Sequence, residues 1–462
     1  MKKIIIVVLL SFVTVLPINA KPLDIPTLIE QHGLNHASIA VKVLDAKTDK
    51  TIVTYNENKS LMPASTLKLL TTAVALITLG ENFRFQTTLY TDKPHIKASL
   101  NNLYIDFSGD PSLTTQDMKK LLVQLQQQGV NSIQGDIYFV NQAFKNRDYP
   151  VNTSQSSLIF YYGAPSSAFN LNGNSARFSL SSSGDRFNIK QLGGEKLTVD
   201  NQLVAANNRM LEYCQFDGQV NPENVLLLKG CFPSGDYTLK FALANPEKVM
   251  QQLIRTELDS LNISFSGDIK LVDHKNPNLT VLAKHQSQPL SQLLTHMQQQ
   301  SDNLYAQTIF RMLGYKKYGV GSFAAGKSAV LEILKNNLKL NISQIQLEDG
   351  AGMSEDDLLT ADVLTVLLSK IQHQKSFEIF YDTLPVAGKT GTLTNRFLGD
   401  LKGKVYAKTG TLATVSSLAG YLVNGDKKYV FAILINGLQR KDKQKAHQFE
   451  TALLQQLVVD AS

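Results

Sequence analysis

Alternating apolar and polar positions predict two strands near the start of the chain. The runs SIAVKVLD and TIVTYN, within residues 38–55, alternate with period two and are joined by a polar turn. The apolar segment LMPASTLKLLTTAVALITLG follows. It has Pro63 before its helical part and Gly80 at its end, which is the order that helix termini prefer. The pattern therefore predicts two strands and then a helix.

Residues 83–277 have a different character. Short strand-like runs, such as FQTTLYT, LYIDFSG, IQGDIYFV and VLLLKGCF, are separated by turn residues. Two helices are predicted among them, around residues 115–128 and 247–258. The segment shows no regular repeat period, so the pattern does not predict a solenoid.

Helical periodicity returns after this region. Apolar residues at Leu290, Leu293, Leu294 and Met297 follow the spacing i, i+3, i+4, i+7, and a second apolar helix follows the tripeptide SDN. The chain then carries three strand-like runs, VYAKTGT, SSLAGYLV and YVFAILING, and a helix over about 443–459. Because strands and helices occur at both ends, we predict one α+β domain whose sheet both ends complete, with the β-rich middle as an insertion.

The first twenty residues predict export. Lys2 and Lys3 precede an apolar run over residues 4–16, and the segment ends at Ala20, a small residue suited to signal peptidase. We predict a signal peptide over residues 1–20, with an uncleaved membrane anchor as the alternative, and a mature chain of about 440 residues. Removing the two lysines lowers the formal charge from +7 to +5. The basic residues are spread along the chain, so no nucleic-acid site is predicted.

The cysteines and histidines add little chemistry. Cys214 and Cys231 are the two cysteines of the chain, and an exported protein places them in an oxidising compartment. We favour a disulfide between them over two free thiols. His32 and His36 have helical spacing, but Gly33 lies between them and no acidic or thiol ligand accompanies them. We therefore expect neither a metal site nor a cofactor.

The helix after Pro63 carries the S-x-x-K motif, which occurs once in the chain as Ser65-Thr66-Leu67-Lys68. Ser65 stands at the helix start, where backbone N–H groups lack partners and the helix dipole favours a developing oxyanion. Lys68 lies one turn later on the same face, so its amine can reach the serine hydroxyl. Burial and a second cation can lower its pKa enough for it to act as a base. The structural alternative is a capping serine beside a surface lysine.

The companion motif S-x-N occurs three times. The copies at 99–101 and 260–262 are explained as turn residues. Ser301-Asp302-Asn303 lies between two predicted helices, where a loop can direct a hydroxyl and an amide into a cleft, and we select it as the functional copy. The alternative is that Ser301 or Asp302 only caps the second helix.

The third motif, K-T-G, occurs twice. Lys389 lies among turn residues with no clean strand after it, so we predict a loop beside the site. The second copy ends an alternating run that two further strands follow, and a strand can present its side chains to a substrate carboxylate. We therefore assign the functional role to this copy, with the Thr411 N–H as a donor to an oxyanion. The copy consists of Lys408, Thr409, Gly410 and Thr411.

Taken together, these segments resemble a known family. PASTLKLLTTAVALITLG, SDNLYAQTIFRMLG, LPVAG and AKTGTL, in this order, are similar to the D-alanyl-D-alanine carboxypeptidase/endopeptidases, the class C low-molecular-mass penicillin-binding proteins of the penicillin-binding protein 4 type. The resemblance covers nearly the whole mature chain. It includes a Y-C…G-C pair at Cys214 and Cys231, whereas the family's LPVAG segment normally lacks a lysine at position 389.

The resemblance implies a fold and a domain division. We expect a serine transpeptidase or β-lactamase-like domain, in which an antiparallel sheet with helices is joined by an all-α subdomain, over residues 21–82 and 278–462. Residues 83–277 would form inserted α/β and β-rich domains: one over 83–168 plus 260–277, and one over 169–259 nested inside it.

The resemblance also implies a periplasmic enzyme that cleaves the terminal D-Ala-D-Ala bond or the cross-links of peptidoglycan and binds penicillin and other β-lactams covalently. Ser65 attacks the carbonyl carbon, Lys68 removes its proton, Ser301 relays a proton to the leaving amine and Asn303 holds the substrate amide. The terminal carboxylate is bound by Lys408, Thr409 and Thr411.

Two segments depart from the family pattern. The family commonly has an acidic residue before its Y-x-A-P segment, but residues 151–162 contain no acid. The family's D-G-S-G-L-S stretch reads D-G-A-G-M-S over residues 349–354, which removes one hydroxyl.

Two other classes of protein compete with this interpretation. A serine β-lactamase shares two motifs, but the chain has neither the E-x-x-L-N of class A nor the Y-x-N of class C enzymes. A non-catalytic cell-wall binder would need the cleft but not a serine–lysine pair. The C-terminal segment ETALLQQLVV can pack on the sheet, which we favour, or touch a membrane surface peripherally.

Overall fold

The computed structural model describes residues 23–92, 98–276 and 278–459. The predicted signal peptide over residues 1–20 lies outside the described residues. Within the described ranges, none of the helices combines the length and the apolar character that a membrane span requires.

The front of the chain forms the elements that its apolar pattern predicts. They are helix α1 (Ile25–Gln31), strands β1 (Ser38–Asp45) and β2 (Thr51–Tyr55), a short 3-10 helix (Ala64–Leu67) and helix α2 (Lys68–Thr78). Nine consecutive residues of α2, Lys68 to Leu76, are buried. A helix that is buried on every face belongs inside a core, and α2 lies at the centre of its domain.

The chain then leaves this domain and builds a separate α/β unit. Its first part consists of strands β3 (Gln86–Thr91), β4 (Ser99–Leu100) and β5 (Leu103–Phe107), helix α3 (Thr115–Gln127), and strands β6 (Ser132–Ile133) and β7 (Ile137–Val140). A capping box begins α3, in which the Thr114 and Asp117 side chains each bond the other residue's backbone N–H.

A six-stranded sheet is nested within this unit. After the short helix α4 (Gln155–Leu158), it is formed by strands β8 (Ser175–Ser183), β9 (Arg186–Gly194), β10 (Thr198–Ala206), β11 (Phe216–Val220), β12 (Val225–Pro233) and β13 (Asp236–Ala242), in the order β11-β12-β10-β9-β8-β13. The sheet has a hydrophobic core of its own that includes Phe178, Leu203, Leu228 and Phe241. Cys214 and Cys231 form a disulfide that ties the loop before β11 to β12.

The chain next returns to the first inserted unit through helix α5 (Pro246–Ser260) and strands β14 (Ser264–Phe265), β15 (Ile269–Val272) and β16 (Thr280–Gln286). These strands complete two sheets, in the orders β15-β7-β5-β3-β16 and β14-β6-β4.

Two of the predicted boundaries are corrected by this topology. Strand β16 pairs antiparallel with β3, so the inserted unit extends to Gln286 and not to residue 277. Helix α5 packs against α3 and β14, so it belongs to the first inserted unit and not to the nested one, which we predicted to reach residue 259. In both cases one partner, β3 for β16 and α3 for α5, lies more than 100 residues earlier in the chain.

The last part of the chain completes the first domain. It contains helices α6 (Leu290–Gln300), α7 (Asn303–Tyr318), α8 (Phe323–Asn336), α9 (Ala361–Ile371) and α10 (Phe377–Asp382), strands β17 (Val405–Leu412), β18 (Val415–Asn424) and β19 (Lys427–Asn436), and helix α11 (Lys443–Val459).

Both chain ends meet in one antiparallel sheet of order β17-β18-β19-β1-β2. Strand β1 pairs with β19 along its whole length, from Ser38 opposite Asn436 to Asp45 opposite Tyr429. Alternate residues of β1 pack into different cores: Val41 and Val43 face α1 and α11, whereas Ala40 and Leu44 belong to the core that contains α2. The α+β fold predicted from the sequence is confirmed. The apolar residues of α11 pack on the sheet, as we favoured.

Candidate active site

The 3-10 helix before α2 places Ser65 at the edge of the central sheet. Ala64 precedes it with a positive φ of 47°, and the carbonyl of Pro63 accepts a 2.6 Å hydrogen bond from the Ser417 hydroxyl on β18. The turn is therefore fixed to the sheet on one side. Among the described residues, the Ser65 hydroxyl has one side-chain hydrogen-bond partner, the amine of Lys68.

Lys68 is completely buried, and three oxygen atoms surround its amine. The Nζ atom lies 2.8 Å from Ser65 Oγ, 2.6 Å from Asn303 Oδ1 and 3.1 Å from the carbonyl oxygen of Ala351. A neutral amine has two N–H donors and one lone pair. The two carbonyl oxygens can only accept, so they take both donors, and the lone pair is left for the Ser65 hydroxyl proton.

Burial also favours the neutral form of this amine. Desolvation lowers the pKa of Lys68 from 10.5 to about 7, although Asp349 and Asp302 oppose the shift. A lysine with a pKa near neutrality can accept a proton at physiological pH. The site therefore places a serine hydroxyl beside an amine that burial favours in its neutral, proton-accepting form.

A carboxylate that the sequence did not single out positions one of these contacts. The Asp349 side chain accepts four backbone N–H groups of the loop that follows it, at 2.6–3.0 Å. These bonds hold the Ala351 carbonyl toward Lys68. The donors come from Ala351, Gly352, Met353 and Ser354. In the sequence, the run D-G-x-G indicates this arrangement, because it favours a tight turn whose backbone N–H groups bond the aspartate side chain.

The S-x-N motif contributes to the site from the turn between α6 and α7. Ser301 adopts a left-handed conformation (φ 56°), and Asp302 caps α7 by accepting the Tyr305 N–H. Asp302 therefore realises the capping alternative, whereas Ser301 and Asn303 contact Lys408 and Lys68. Asn303 uses its two side-chain atoms in different directions, because Oδ1 accepts from Lys68 and Nδ2 donates to the carbonyl of Tyr162 at 2.8 Å.

A second buried lysine faces the first from strand β17. The Lys408 amine donates to Ser301 Oγ at 2.9 Å and to the Thr409 carbonyl at 2.8 Å. Burial, followed by the repulsion that would act between the two amines if both were charged, lowers the pKa of Lys408 well below its usual value. The S-x-x-K, S-x-N and K-T-G motifs are thereby connected by direct hydrogen bonds.

Gly410 allows β17 to lie against the nucleophile. A Cβ atom at this position would come 2.1 Å from Ser417 Oγ, 2.7 Å from the Pro63 carbonyl and 3.0 Å from the Ser65 nitrogen. Any side chain would therefore push β17 away from Ser65.

The other K-T-G copy lies outside the cleft but contacts the site indirectly. Lys389 is in a loop and has its amine near Gly403. The next turn supplies Thr392, whose hydroxyl lies 2.8 Å from that of Thr409. The sequence did not identify Thr392 as a supporting residue, because this contact depends on how the loop packs on β17.

Part of this set lines one cleft of about 520 Å³, whereas Lys68, Lys408 and Thr409 are not among its lining residues. Ser65, Ser301, Asn303 and Thr411 are on its surface, together with Tyr161, Tyr162, Gln300, Asp302, Gly352 and Met353. Among the described residues that line the cleft, Asp302 is the one with an acidic side chain. No cluster of His, Cys, Asp and Glu in the described part of the chain could hold a metal ion.

This geometry, a serine beside a neutral lysine with two further polar motifs around them, is typical of enzymes that form an acyl-serine. The sequence profile of the D-Ala-D-Ala carboxypeptidase 3 (S13) family matches residues 23–457, so the chain belongs to this family. The resemblance expected from the motifs is confirmed.

Two curated relatives illustrate the similarity. The chain is 30% identical to the D-alanyl-D-alanine carboxypeptidase DacB of Haemophilus influenzae over 405 residues, which are 85% of this chain and 84% of that protein. It is 27% identical to the D-alanyl-D-alanine carboxypeptidase of Actinomadura sp. strain R39, over 90% of this chain and 80% of the relative.

The fold is similar to solved structures as well. The crystal structure of penicillin binding protein 4 from H. influenzae superposes with a TM-score of 0.87 at 29% identity, covering 94% of this chain and 99% of that one. The same protein in complex with a β-lactam gives a TM-score of 0.82. A predatory endopeptidase of Bdellovibrio bacteriovorus shares the fold at 19% identity and a TM-score of 0.54, covering 92% of this chain and 94% of that one.

The lowered pKa of Lys68 predicts a pH dependence. The neutral amine is the base, so the rate at which penicillin acylates the protein should rise with pH, about tenfold per unit well below pH 7, and level off above about 7. Stopped-flow or quenched acylation between pH 5 and 8 measures this profile. A rate that stays constant across this range would show that no group with a pKa near 7 controls the step.

The surroundings of Gly352 predict that one methyl group added at this position has a strong, local effect on the neighbouring Ser65 turn. It has a φ of 77°, and an added Cβ would lie 2.0 Å from the Ala64 carbonyl oxygen, next to Ser65. We expect Gly352→Ala to displace the Ser65 turn and to slow penicillin acylation by at least ~100-fold, since misplacing reacting groups by about 1 Å has effects of this size.

Gly80 provides the matched control, because its φ is 79° and nothing lies within 4 Å of an added Cβ. Gly80→Ala introduces the same backbone strain, about 1 kcal/mol, but should leave acylation within twofold of the unmodified protein. Equal effects of the two substitutions would contradict the proposed close approach.

Proposed function

We propose that this chain is an exported serine D-Ala-D-Ala carboxypeptidase that acts through an acyl-enzyme on Ser65. The observation that carries the proposal is the placement of a completely buried Lys68 amine 2.8 Å from Ser65 Oγ, with its two other contacts made to carbonyl oxygens. Family membership supports the same reaction, since the H. influenzae and Actinomadura relatives are named D-alanyl-D-alanine carboxypeptidases.

The reaction begins at the nucleophile. Lys68 accepts the Ser65 hydroxyl proton as Oγ attacks the carbonyl carbon of the penultimate D-alanine. Negative charge develops on the carbonyl oxygen. The backbone N–H groups of Ser65, at the helix start, and of Thr411, on β17, are the donors we assign to it.

The other two motifs bind the substrate and complete the step. Asn303 holds the substrate amide. Ser301, which accepts from Lys408, relays to the leaving D-alanine amine the proton that Lys68 took from Ser65, so Lys68 is neutral again before water attacks. The terminal carboxylate binds Lys408, Thr409 and Thr411. Its negative charge favours the protonated form of Lys408, whose pKa is otherwise held down by burial. Water then hydrolyses the acyl-serine and regenerates the enzyme.

The signal peptide predicted over residues 1–20 would direct export to the periplasm. The periplasm is the compartment in which this substrate occurs. The Cys214–Cys231 disulfide supports an oxidising environment.

Penicillins are expected to acylate Ser65 and to leave slowly. In class A β-lactamases, a glutamate activates the water that releases the drug. Asp302, the acidic residue among the described residues of the cleft, already caps α7 and accepts from His296 Nε2 at 3.0 Å. This arrangement favours a penicillin-sensitive peptidase over a β-lactamase.

Digestion of purified muropeptides tests the proposal. Monomeric pentapeptide and cross-linked dimer are incubated separately with the protein, and the products are identified by mass spectrometry. We expect D-alanine to be released from the pentapeptide; cleavage of the dimer would add endopeptidase activity through the same acylation step. Absence of product from both substrates would refute the proposal.

A further inference from the structure

A second groove extends from the catalytic cleft toward the nested sheet. Its volume is about 640 Å³, and it shares four lining residues with the cleft: Tyr161, Tyr162, Gln300 and Asp302. The two spaces are therefore adjacent. A substrate bound at Ser65 can extend into the groove past the two tyrosines.

Two cations form the far wall of this groove. Arg177 on β8 and Lys240 on β13 lie directly opposite each other in the antiparallel pair, and both side chains line the groove. Like charges in directly opposed positions destabilise a sheet. Their presence here is therefore not explained by the stability of the nested domain.

The charge of this pair is not neutralised by the protein. Among the described residues, neither Arg177 nor Lys240 lies within ion-pair distance of a carboxylate. The Lys240 amine instead lies 5.5 Å from the centre of the Tyr161 ring. Asp302 is the one carboxylate among the described residues that line the groove, so two cations face one anion and the groove carries a net positive charge.

We propose that Arg177 and Lys240 bind a carboxylate of the peptide substrate other than the terminal one. A guanidinium matches a carboxylate with two parallel hydrogen bonds, and an adjacent ammonium adds a third donor. The tyrosine rings between this pair and Ser65 supply an amphipathic surface for the intervening peptide. This inference rests on the proposed function, since it assumes that a peptidoglycan stem peptide is the substrate.

A stem pentapeptide that ends in D-Ala-D-Ala offers two such groups: the α-carboxylate of its D-isoglutamyl residue and the side-chain carboxylate of its diaminopimelyl residue. The test compares the free peptide with two singly amidated forms, one for each carboxylate. D-Alanine release is measured for the unmodified enzyme and for Arg177→Gln/Lys240→Gln. Arg186→Gln/Lys190→Gln is the matched control, because it removes two exposed cations from β9, the strand next to β8, that do not line the groove.

We expect Arg177→Gln/Lys240→Gln, the groove variant, to raise the KM for the free peptide about tenfold, with little change in kcat. A tenfold change corresponds to the loss of about one partly exposed charge-assisted hydrogen bond. Amidation of the carboxylate that binds should raise the KM of the unmodified enzyme similarly and should remove the difference between the enzyme and the groove variant. The form that shows this behaviour identifies the carboxylate. The control variant should match the unmodified enzyme.

Three results would overturn the inference. They are a KM for the free peptide that does not change in the groove variant, an equal rise of this KM in the control variant, or a rise of KM in the groove variant that is the same for all three peptides. Failure of the proposed function looks different. In that case the unmodified enzyme releases no D-alanine from any peptide, and the inference falls with the function on which it rests.

Discussion

Replacing Lys68 with methionine is expected to slow acylation of Ser65 by penicillin by about 10²–10⁴-fold, the usual contribution of a positioned general base. Methionine is close to lysine in length and suits a completely buried site, but it has no amine that could accept the Ser65 proton as we propose for Nζ, 2.8 Å from Oγ. The substitution leaves the carbonyl oxygens of Asn303 and Ala351 without their donor, yet it also removes the cost of burying an amine. We therefore expect the variant to remain folded.

Quenched-flow acylation followed by intact-protein mass spectrometry measures this effect. Lys389→Met is the matched control, since it alters the lysine of the other K-T-G copy, which does not line the cleft. That variant should acylate at the normal rate. A Lys68→Met protein that kept more than a tenth of the normal rate while remaining folded would show that another group serves as the base.

Replacing Ser65 with alanine is expected to reduce D-alanine release to the background of the assay. Hydroxyl removal eliminates the acyl-enzyme itself, so the loss should exceed that caused by removing the base. The one side-chain partner of this hydroxyl among the described residues is Lys68, so the thermal midpoint should change little.

The same variant separates an enzyme from a cell-wall binder. A binder would keep its function, the binding of peptidoglycan fragments, in Ser65→Ala and would release no D-alanine with or without the substitution. An enzyme that uses Ser65 as its nucleophile would lose D-alanine release. Product formation at the normal rate by this variant would therefore exclude the acyl-enzyme mechanism.

The sequence could predict those parts of the fold and site that depend on local periodicity. Helix α2 has apolar residues on every face and begins near a proline, so both its existence and the neighbouring positions of Ser65 and Lys68 follow from the helical repeat. Strand β17 follows from its alternation. The alternation also distinguished the two K-T-G copies. The structure places Lys408 in a strand and Lys389 in a loop.

Features that depend on distant partners could not be predicted. Strand β16 has no local signal for the sheet it joins, because its partner β3 lies nearly 200 residues earlier. The Asp349 loop and the Thr392 contact arise from packing against α2 and β17, which a one-dimensional pattern does not record. The charge pair of Arg177 and Lys240 likewise becomes visible only when the register of β8 and β13 is known.

The central claim is that the buried amine at position 68 makes Ser65 the residue that is acylated. The most direct measurement is peptide mapping by mass spectrometry after mixing the protein with penicillin. The account predicts one persistent penicilloyl group, on the peptide that contains Ser65. An adduct on another residue, or rapid turnover of nitrocefin with no adduct at all, would contradict it.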